Sequence, residues 1–387
     1  MMQISPETQL FIREHSSDDV RVLALQAKKY PDIDMPTAIT QIAGRKVAAE
    51  KIPSWWEIEK IWYPKHLSLE QCSSEITARY KARLLQGDSL TDLTGGFGID
   101  CSFLATGFKS ATYVERQEEL CEIAAHNFPV LNLNHINIKN EDGVTYLQAM
   151  SPVDCLFLDP ARRNEHGGKT VAISDCEPNV AELEELLLQK ANRVMIKLSP
   201  MLDLSLALKE LKQTQEVHIL SVNNECKELL ILLGQTSPTE ISIHCVNLST
   251  KGTQEEQHFV FTREQEQCSE CTYTDSLETY LYEPNASLLK AGAFRSIAAA
   301  YPVRKLHPNS HLYTSDTFIE NFPGRIFRIV NQCSFNKKEV KENLADLKKA
   351  NVTVRNFPAT VAELRKRIHL AEGGDTYLFA STLNNGQ

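Results

Sequence analysis

Residues 89–105, SLTDLTGGFGIDCSFLA, close an apolar run with an acid and follow it with three glycines within four positions and a second apolar run. A backbone this bare either turns sharply or lets a ligand approach it closely. The dinucleotide fingerprint asks for a third glycine three residues past the second; counting from Gly96 and Gly98, that place holds Cys101, so the match is incomplete. The other open-sheet pattern, an acid ending the first strand and glycines two apart, is met by Asp92, Gly96 and Gly98, with Thr94 where a first glycine is usual and Gly95 added. ATYVERQ then supplies Glu115 about twenty residues on, the place of an acid that holds ribose hydroxyls. KNEDG supplies Asp142, able to accept a hydrogen bond from a base-edge amine, and FLDPARR supplies Asp159, with Pro160 stiffening the turn. One polar strand end is an ordinary turn. Four in succession point to a nucleotide-like ligand at the carboxyl ends of an open α/β sheet.

The elements that must carry these residues follow from periodicity. The first seventy-five residues read as helical. SSDDVRVLALQAKKY offers a Ser cap, acids in the first turn and Val20, Leu23 and Ala24 on one side; PTAITQIAGRKVAAEKIP ends before Pro53; SLEQCSSEITARYKARLLQGDS gives one more helix, closed by Gly87. From residue 89 short apolar runs alternate with helical patterns such as AELEELLLQKA and LSLALKELKQ, the signature of a parallel sheet covered on both faces. VHILSV and ELLILLG follow each other without room for a crossover, so that pair is expected to be antiparallel, and SIHCVNLSTKGTQEEQHFVFTRE reads as an added hairpin. RIFRIV, NKKEVKENLADLKKA, VTVRNF, VAELRKRIHL and TYLFAST form a β-α-β-α-β series at the end of the chain.

The series DLTGGFGID…YVE…NEDG…LDPARR resembles the class I S-adenosylmethionine-dependent methyltransferases, over roughly residues 76–272. FLDPARR, NNECKELL and RNFP…AELRKRIHLAEGGDTYLFA resemble, more narrowly, a bacterial group of these enzymes whose tail is described as THUMP-like. The resemblance implies S-adenosyl-L-methionine as cofactor, with its methionine part cradled by Asp92, Thr94, Gly95, Gly96 and Gly98, its ribose held by Glu115 and its adenine by Asp142. It implies a Rossmann-like, mostly parallel sheet whose last strand is antiparallel. Because THUMP modules accompany RNA-modifying enzymes, it also implies RNA as partner.

Methyl transfer from a sulfonium is an in-line displacement, in which the enzyme positions the nucleophile and excludes water. Asp159, Pro160 and Arg162 are the expected catalytic group, with Asp159 orienting or accepting from the target. Amine methylators usually continue with two prolines and a stacking aromatic; here Pro160 is followed by Ala161 and Arg162, which leaves the acceptor atom open. C5 methylation of pyrimidines needs a cysteine nucleophile, and neither Ala161-Arg162 nor the Lys197–Ser199 stretch supplies one. Arg163 and Lys197 are expected substrate contacts; Arg162 either contacts substrate or braces the loop against Glu225 or Asp159, and Asn224 stands near the same edge.

Net charge is −9, unevenly spread: residues 288–387 carry 15 Lys and Arg against 8 Asp and Glu, leaving an acidic body with a basic end. Arg325, Arg328, Arg355, Lys366 and Arg367 are candidate phosphate contacts, Arg325 and Arg355 foremost, while His307, His311 and Tyr313 either stack on bases or belong to a core. Cys268 and Cys271 have metal-ligand spacing but no second pair, the other cysteines are scattered singly, and the eleven histidines (His126 and His135 flank a strand) form no constellation, so no metal is expected. No apolar run is long enough to span a membrane and no basic-then-apolar leader opens the chain, so a cytoplasmic location is expected. At 387 residues several domains are expected: 1–75 helical, 76–272 methyltransferase, 273–318 a small ferredoxin-like or linker segment, and 319–387 a THUMP-like α+β domain. The expected function is methylation of rRNA or tRNA. The rival readings are methylation of a protein or small anionic molecule and a non-catalytic RNA-binding protein with a vestigial cofactor fold; nothing points to a membrane or specifically to DNA.

Overall fold

A computed structural model of the chain describes residues 4–162, 172–236, 238–250 and 256–385. The contacts divide it into two units: residues 1–217 with 228–240, and residues 218–227 with 241–387.

The first unit opens with α1 (Pro6–Glu14), α2 (Val20–Leu25), α3 (Met35–Lys51), α4 (Pro53–Trp56), α5 (His66–Gln71) and α6 (Glu75–Ala82). The caps are side chains with spare acceptors: Ser5 receives the Thr8 amide, Asp19 that of Arg21 and Asp34 that of Thr37. Two sequence expectations change. Asp19, not a serine, caps α2. The stretch expected as one helix from Ser68 breaks at Cys72–Ser74, because the Ser73 hydroxyl is drawn sideways to Asp100 and Lys81. Trp55, Ile61, Tyr63, Leu69 and Ala78 pack against Phe97 and Ile99, so the helical segment sits directly on the glycine loop.

Behind it stand β1 (Ser89–Asp92), α7 (Ile99–Ala105), β2 (Ser110–Glu115), α8 (Glu118–Val130), β3 (Ile136–Asn140), α9 (Gly143–Ala149) and β4 (Val153–Leu158). A two-residue ribbon follows, β5 (Ala161–Arg162) against β6 (Cys176–Glu177), then α10 (Val180–Lys190), β7 (Ala191–Leu198), α11 (Leu204–Glu210), β8 (Thr214–Val222) and β9 (Glu225–Gly234). The sheet order is β8-β9-β7-β4-β1-β2-β3. The β7-β4-β1-β2-β3 pairs are parallel and β9 runs antiparallel to β7. Val194, Met195, Ile196 and Leu229–Leu233 are fully buried, as strands covered on both faces require. Asn223 and Asn224, both at positive φ, make the tight β8–β9 turn that replaces a crossover. Chain order switches between β1 and β4, which opens a crevice at their carboxyl ends.

In the second unit β10 (Ser242–Leu248) and β11 (Glu256–Thr262) form the expected hairpin. After α12 (Arg263–Cys268) come β12 (Tyr280–Pro284), α13 (Ala286–Ala291), α14 (Phe294–Ala300), β13 (Arg304–Lys305), β14 (Tyr313–Ser315) and β15 (Gly324–Arg328). They are followed by α15 (Lys337–Asn343), β16 (Asn351–Arg355), α16 (Val361–Ile368) and β17 (Tyr377–Ser381). The expected terminal β-α-β-α-β series is present as β15-α15-β16-α16-β17, and its strands divide between two sheets. β15 pairs along five residues of β12, in a sheet ordered β13-β14-β12-β15, and leaves β16 and β17 as a separate parallel pair. Phe327 of β15 packs with Leu281, Leu306 and Leu312, a burial that pairing with β16 alone does not offer.

Candidate functional site

Asp92 ends β1 with 1% of its surface exposed. Burial, together with the neighbouring Asp100, Asp159 and Glu115, pushes its carboxyl well above the usual carboxylate range, while the Thr94 amide at 3.0 Å opposes the shift. The loop that follows is locked from both sides. Gly95 donates to the Val114 carbonyl at 2.8 Å, Gly96 donates to Glu115 Oε2 at 2.9 Å, and the Tyr113 hydroxyl donates to the Gly96 carbonyl at 2.5 Å. A Cβ on Gly95 would lie 2.3 Å from the Tyr113 ring, so no side chain fits there. Gly96 differs: its φ of +55° favours glycine, yet nothing stands closer than 3.7 Å to where a Cβ would be. This strand-facing loop thus has one closed face and one open face, the shape of a cradle for a ligand that approaches backbone.

Glu115, 8% exposed, ends β2. Its second oxygen accepts from the Gln117 amide at 2.8 Å, and each oxygen keeps a further lone pair for a ligand hydroxyl. Asp142 caps α9, its Oδ1 accepting from the Val144 and Thr145 amides at 3.0 Å each, and its side chain is exposed. Asp92, the glycines, Glu115, Asp142 and Asp159 all belong to the loops and strand ends at the carboxyl edge of the sheet.

Thr94, the least expected residue of the loop, accepts from the Asp159 amide at 2.6 Å through its hydroxyl, a tie that glycine lacks. Thr94→Val should leave that amide without its partner, lower stability by about 1–3 kcal/mol and loosen Asp159; chemical denaturation of the variant measures the first, and an unchanged midpoint contradicts it.

Lys197, expected to contact substrate, is 8% exposed and committed elsewhere. Its ammonium lies 2.5 Å from Asp159 Oδ2 and 3.4 Å from Asp100 Oδ2. Lys81, fully buried, forms an ion pair with Asp100 at 2.9 Å and donates to Glu228 at 2.6 Å and to the Ser73 hydroxyl at 2.8 Å. Burial tends to raise the Asp100 carboxyl, but Lys81 and Lys197 outweigh it and hold Asp100 below the usual range. Burial likewise opposes the charge on Lys197, and Asp159 and Asp100 reverse this and drive it well above the ordinary lysine value. The Asp159 carboxyl is raised by burial against the pull of Lys197, although 36% of its side chain remains reachable by solvent: it is flanked by protein but open at one side. Sequence reading missed Lys81, Asp100, Ser73 and Glu228 altogether. The signal available was an acid, Asp100, inside the apolar run FGIDCSFLA, which demands a buried cation.

The remaining expectations are distributed as follows. Pro160 is buried beside Asp159, only the backbone of Arg162 is described, and Arg163 lies outside the described residues. Arg325 Nε and Arg355 Nη2 donate to the buried Glu283 at 2.9 and 2.8 Å, and each arginine keeps 36% of its side chain exposed; their first role is to neutralise that acid. Tyr313 is fully buried with its hydroxyl on the Phe294 carbonyl, which removes it as a base-stacking residue, and His311 stacks on Phe294. Arg328, Lys366 and Arg367 are exposed. His126 and His135 bind the Lys60 and Ala105 carbonyls, Asn224 accepts from the Ala286 amide, and Glu225 pairs with Lys227.

Two family descriptions match the chain: a ferredoxin-like domain over residues 280–323 and a THUMP-like domain over residues 324–387. A solved structure from Porphyromonas gingivalis W83, named "putative methyltransferase", is 34% identical, covers 100% of this chain and 97% of its own, and superposes with a TM-score of 0.88. Smaller matches include an rRNA methylase from Streptococcus thermophilus, 15% identical over 41% of this chain and 93% of that one, TM-score 0.30. A Streptococcus mutans protein under the same name as the first, solved in complex with SAH, is 13% identical over 41% and 96%, TM-score 0.30. No protein of curated function matches.

Proposed function

Because this chain belongs to the family of the Porphyromonas gingivalis protein, class I methyltransferases with a THUMP-like tail, we propose that it transfers a methyl group from S-adenosylmethionine to RNA. The observation that carries the reading is the pairing of an open-faced glycine loop, pinned by Glu115, with a partly exposed Asp159 fixed at the adjacent strand end.

The residues present fit the cofactor. The open face at Gly96 admits the methionine part, the spare lone pairs of Glu115 suit ribose hydroxyls, and Asp142 stands where the adenine amine is expected. When bound, S-adenosylmethionine supplies a methyl carried on a positive sulfur. Asp159 accepts the hydrogen of the target group, Thr94 and Lys197 hold it in place, and Pro160 stiffens the backbone behind it. Arg162 and Arg163 contact a substrate phosphate on this reading, with Arg325 and Arg355 guiding RNA through the N–H groups that Glu283 leaves over. No helix among the described residues is long and apolar enough to cross a membrane, which accords with work in the cytoplasm.

Deleting the gene and comparing the nucleosides of rRNA and tRNA by mass spectrometry tests the reading. One methylated nucleoside should vanish and return on complementation, and the full-length protein should bind RNA at least tenfold more weakly at 200 mM salt than at 50 mM. An unchanged nucleoside profile overturns the RNA assignment.

A further inference from the structure

Building on the role given to Asp159 above, we propose that Lys81, Asp100 and Lys197 are positioning residues. They form a buried relay of alternating charge through which the helical segment before β1 holds Asp159 as an aimed carboxylate. The relay runs Asp159–Lys197–Asp100–Lys81–Glu228, with contacts of 2.5, 3.4, 2.9 and 2.6 Å. It draws on β4, β7, α7, α6 and β9, and Ser73, between α5 and α6, ties its centre by donating to Asp100 at 2.7 Å.

The arrangement is costly. Buried ion pairs are often no more stabilising than well-packed apolar residues of the same volume, so four charges sunk in one core are not explained by stability. Four of the five members are at most 9% exposed, and only Asp159 reaches solvent, on the side where the loop is open. The chain of charges therefore has one outlet, and it is the residue placed to meet the target group.

The groups facing Asp159 push it in opposite directions. Asp100 raises its carboxyl, while Lys197 and, more remotely, Lys81 lower it, against a background of burial. Asp92 is buried beside the same acids, Glu115 ends the next strand, and Lys51 of α3 and Cys72 face Lys197 and Asp100 from the helical side. Removing a lysine and removing Asp100 must then displace Asp159 with opposite sign, which a mere brace does not do.

The test is a carboxyl-carbon NMR titration of the full-length protein labelled at aspartate, with the Asp159 signal identified by its loss in Asp159→Asn. The midpoint should rise by about one pH unit in Lys81→Met and fall by about one unit in Asp100→Asn, and Lys81→Arg should restore it. Should Lys81→Met not fold, Glu228→Gln keeps both lysines and should lower the midpoint. The acid limb of methyl transfer should move the same way in each variant. Midpoints that stay in place while the melting temperature drops overturn the relay. Midpoints that move as stated without methyl transfer to RNA uphold the relay and dismiss the RNA reading, because the titration needs no acceptor.

Discussion

Asp159→Asn is expected to slow methyl transfer by about 10²–10³-fold while S-adenosylmethionine binds within about threefold of the wild-type affinity. The substitution is isosteric, so the Thr94 hydroxyl keeps its bond to the residue 159 amide at 2.6 Å and the loop keeps its shape. What changes is the far end of the side chain. Lys197 offers only donors to Asp159 Oδ2, so an asparagine must turn its oxygen toward Lys197 and its NH₂ toward the crevice. A target group that presents N–H or O–H then meets a donor instead of an acceptor. Single-turnover transfer of a labelled methyl to RNA from the deletion strain measures the loss, and calorimetry measures cofactor binding. A variant that transfers at the wild-type rate removes Asp159 from the chemistry.

The two halves of this site differ in how far the sequence discloses them, and the reason is range. The strand ends and the glycine loop are local: an acid, bare residues and the next acid lie within one β-α-β unit, and hydrophobic periodicity places them without knowledge of the rest. The β8–β9 reversal was readable for the same reason, since no helix fits between the two runs. The relay is long-range. Lys81 looks like one cation among several on the polar helix ITARYKARLL, and it is buried because Glu228, 147 residues away, meets it. Lys197, an expected substrate contact from its place at a strand end, is claimed first by Asp159 and Asp100. Arg325 and Arg355 follow the same pattern in the second unit, where Glu283 within the apolar strand YLYEP collects both. In each case the readable sign was an acid set among apolar residues, which does not stay unpaired in a core. The terminal β-α-β-α-β order was readable too, but not the pairing of its strands: a strand's partner is chosen by burial across the fold, and periodicity within the strand is silent about it.

Glu115→Gln is expected to weaken S-adenosylmethionine binding by about 50–100-fold, close to 2.5 kcal/mol, and to leave the fold intact. Glu115 serves two donors at once: Oε2 receives the Gly96 amide at 2.9 Å and Oε1 the Gln117 amide at 2.8 Å. A glutamine has one oxygen, so whichever rotamer it adopts, its NH₂ faces one of those N–H groups. If it faces Gly96, the loop loses one of its three ties to β2, the one at the loop glycine whose outer side is open. If it faces Gln117, the start of α8 is left with an unpaired donor. Either way one acceptor face is lost that ribose hydroxyls need, and the cradle is no longer pre-formed, so binding must also order it. Glu225→Gln is the matched control, since Glu225 is an exposed partner of Lys227, and it should bind the cofactor as the wild type does. Calorimetric titration with S-adenosylmethionine at fixed pH and salt compares the two, and circular dichroism shows whether the fold is kept. Equal affinity in the two variants would place the ribose away from this carboxylate and leave Glu115 as a loop anchor alone.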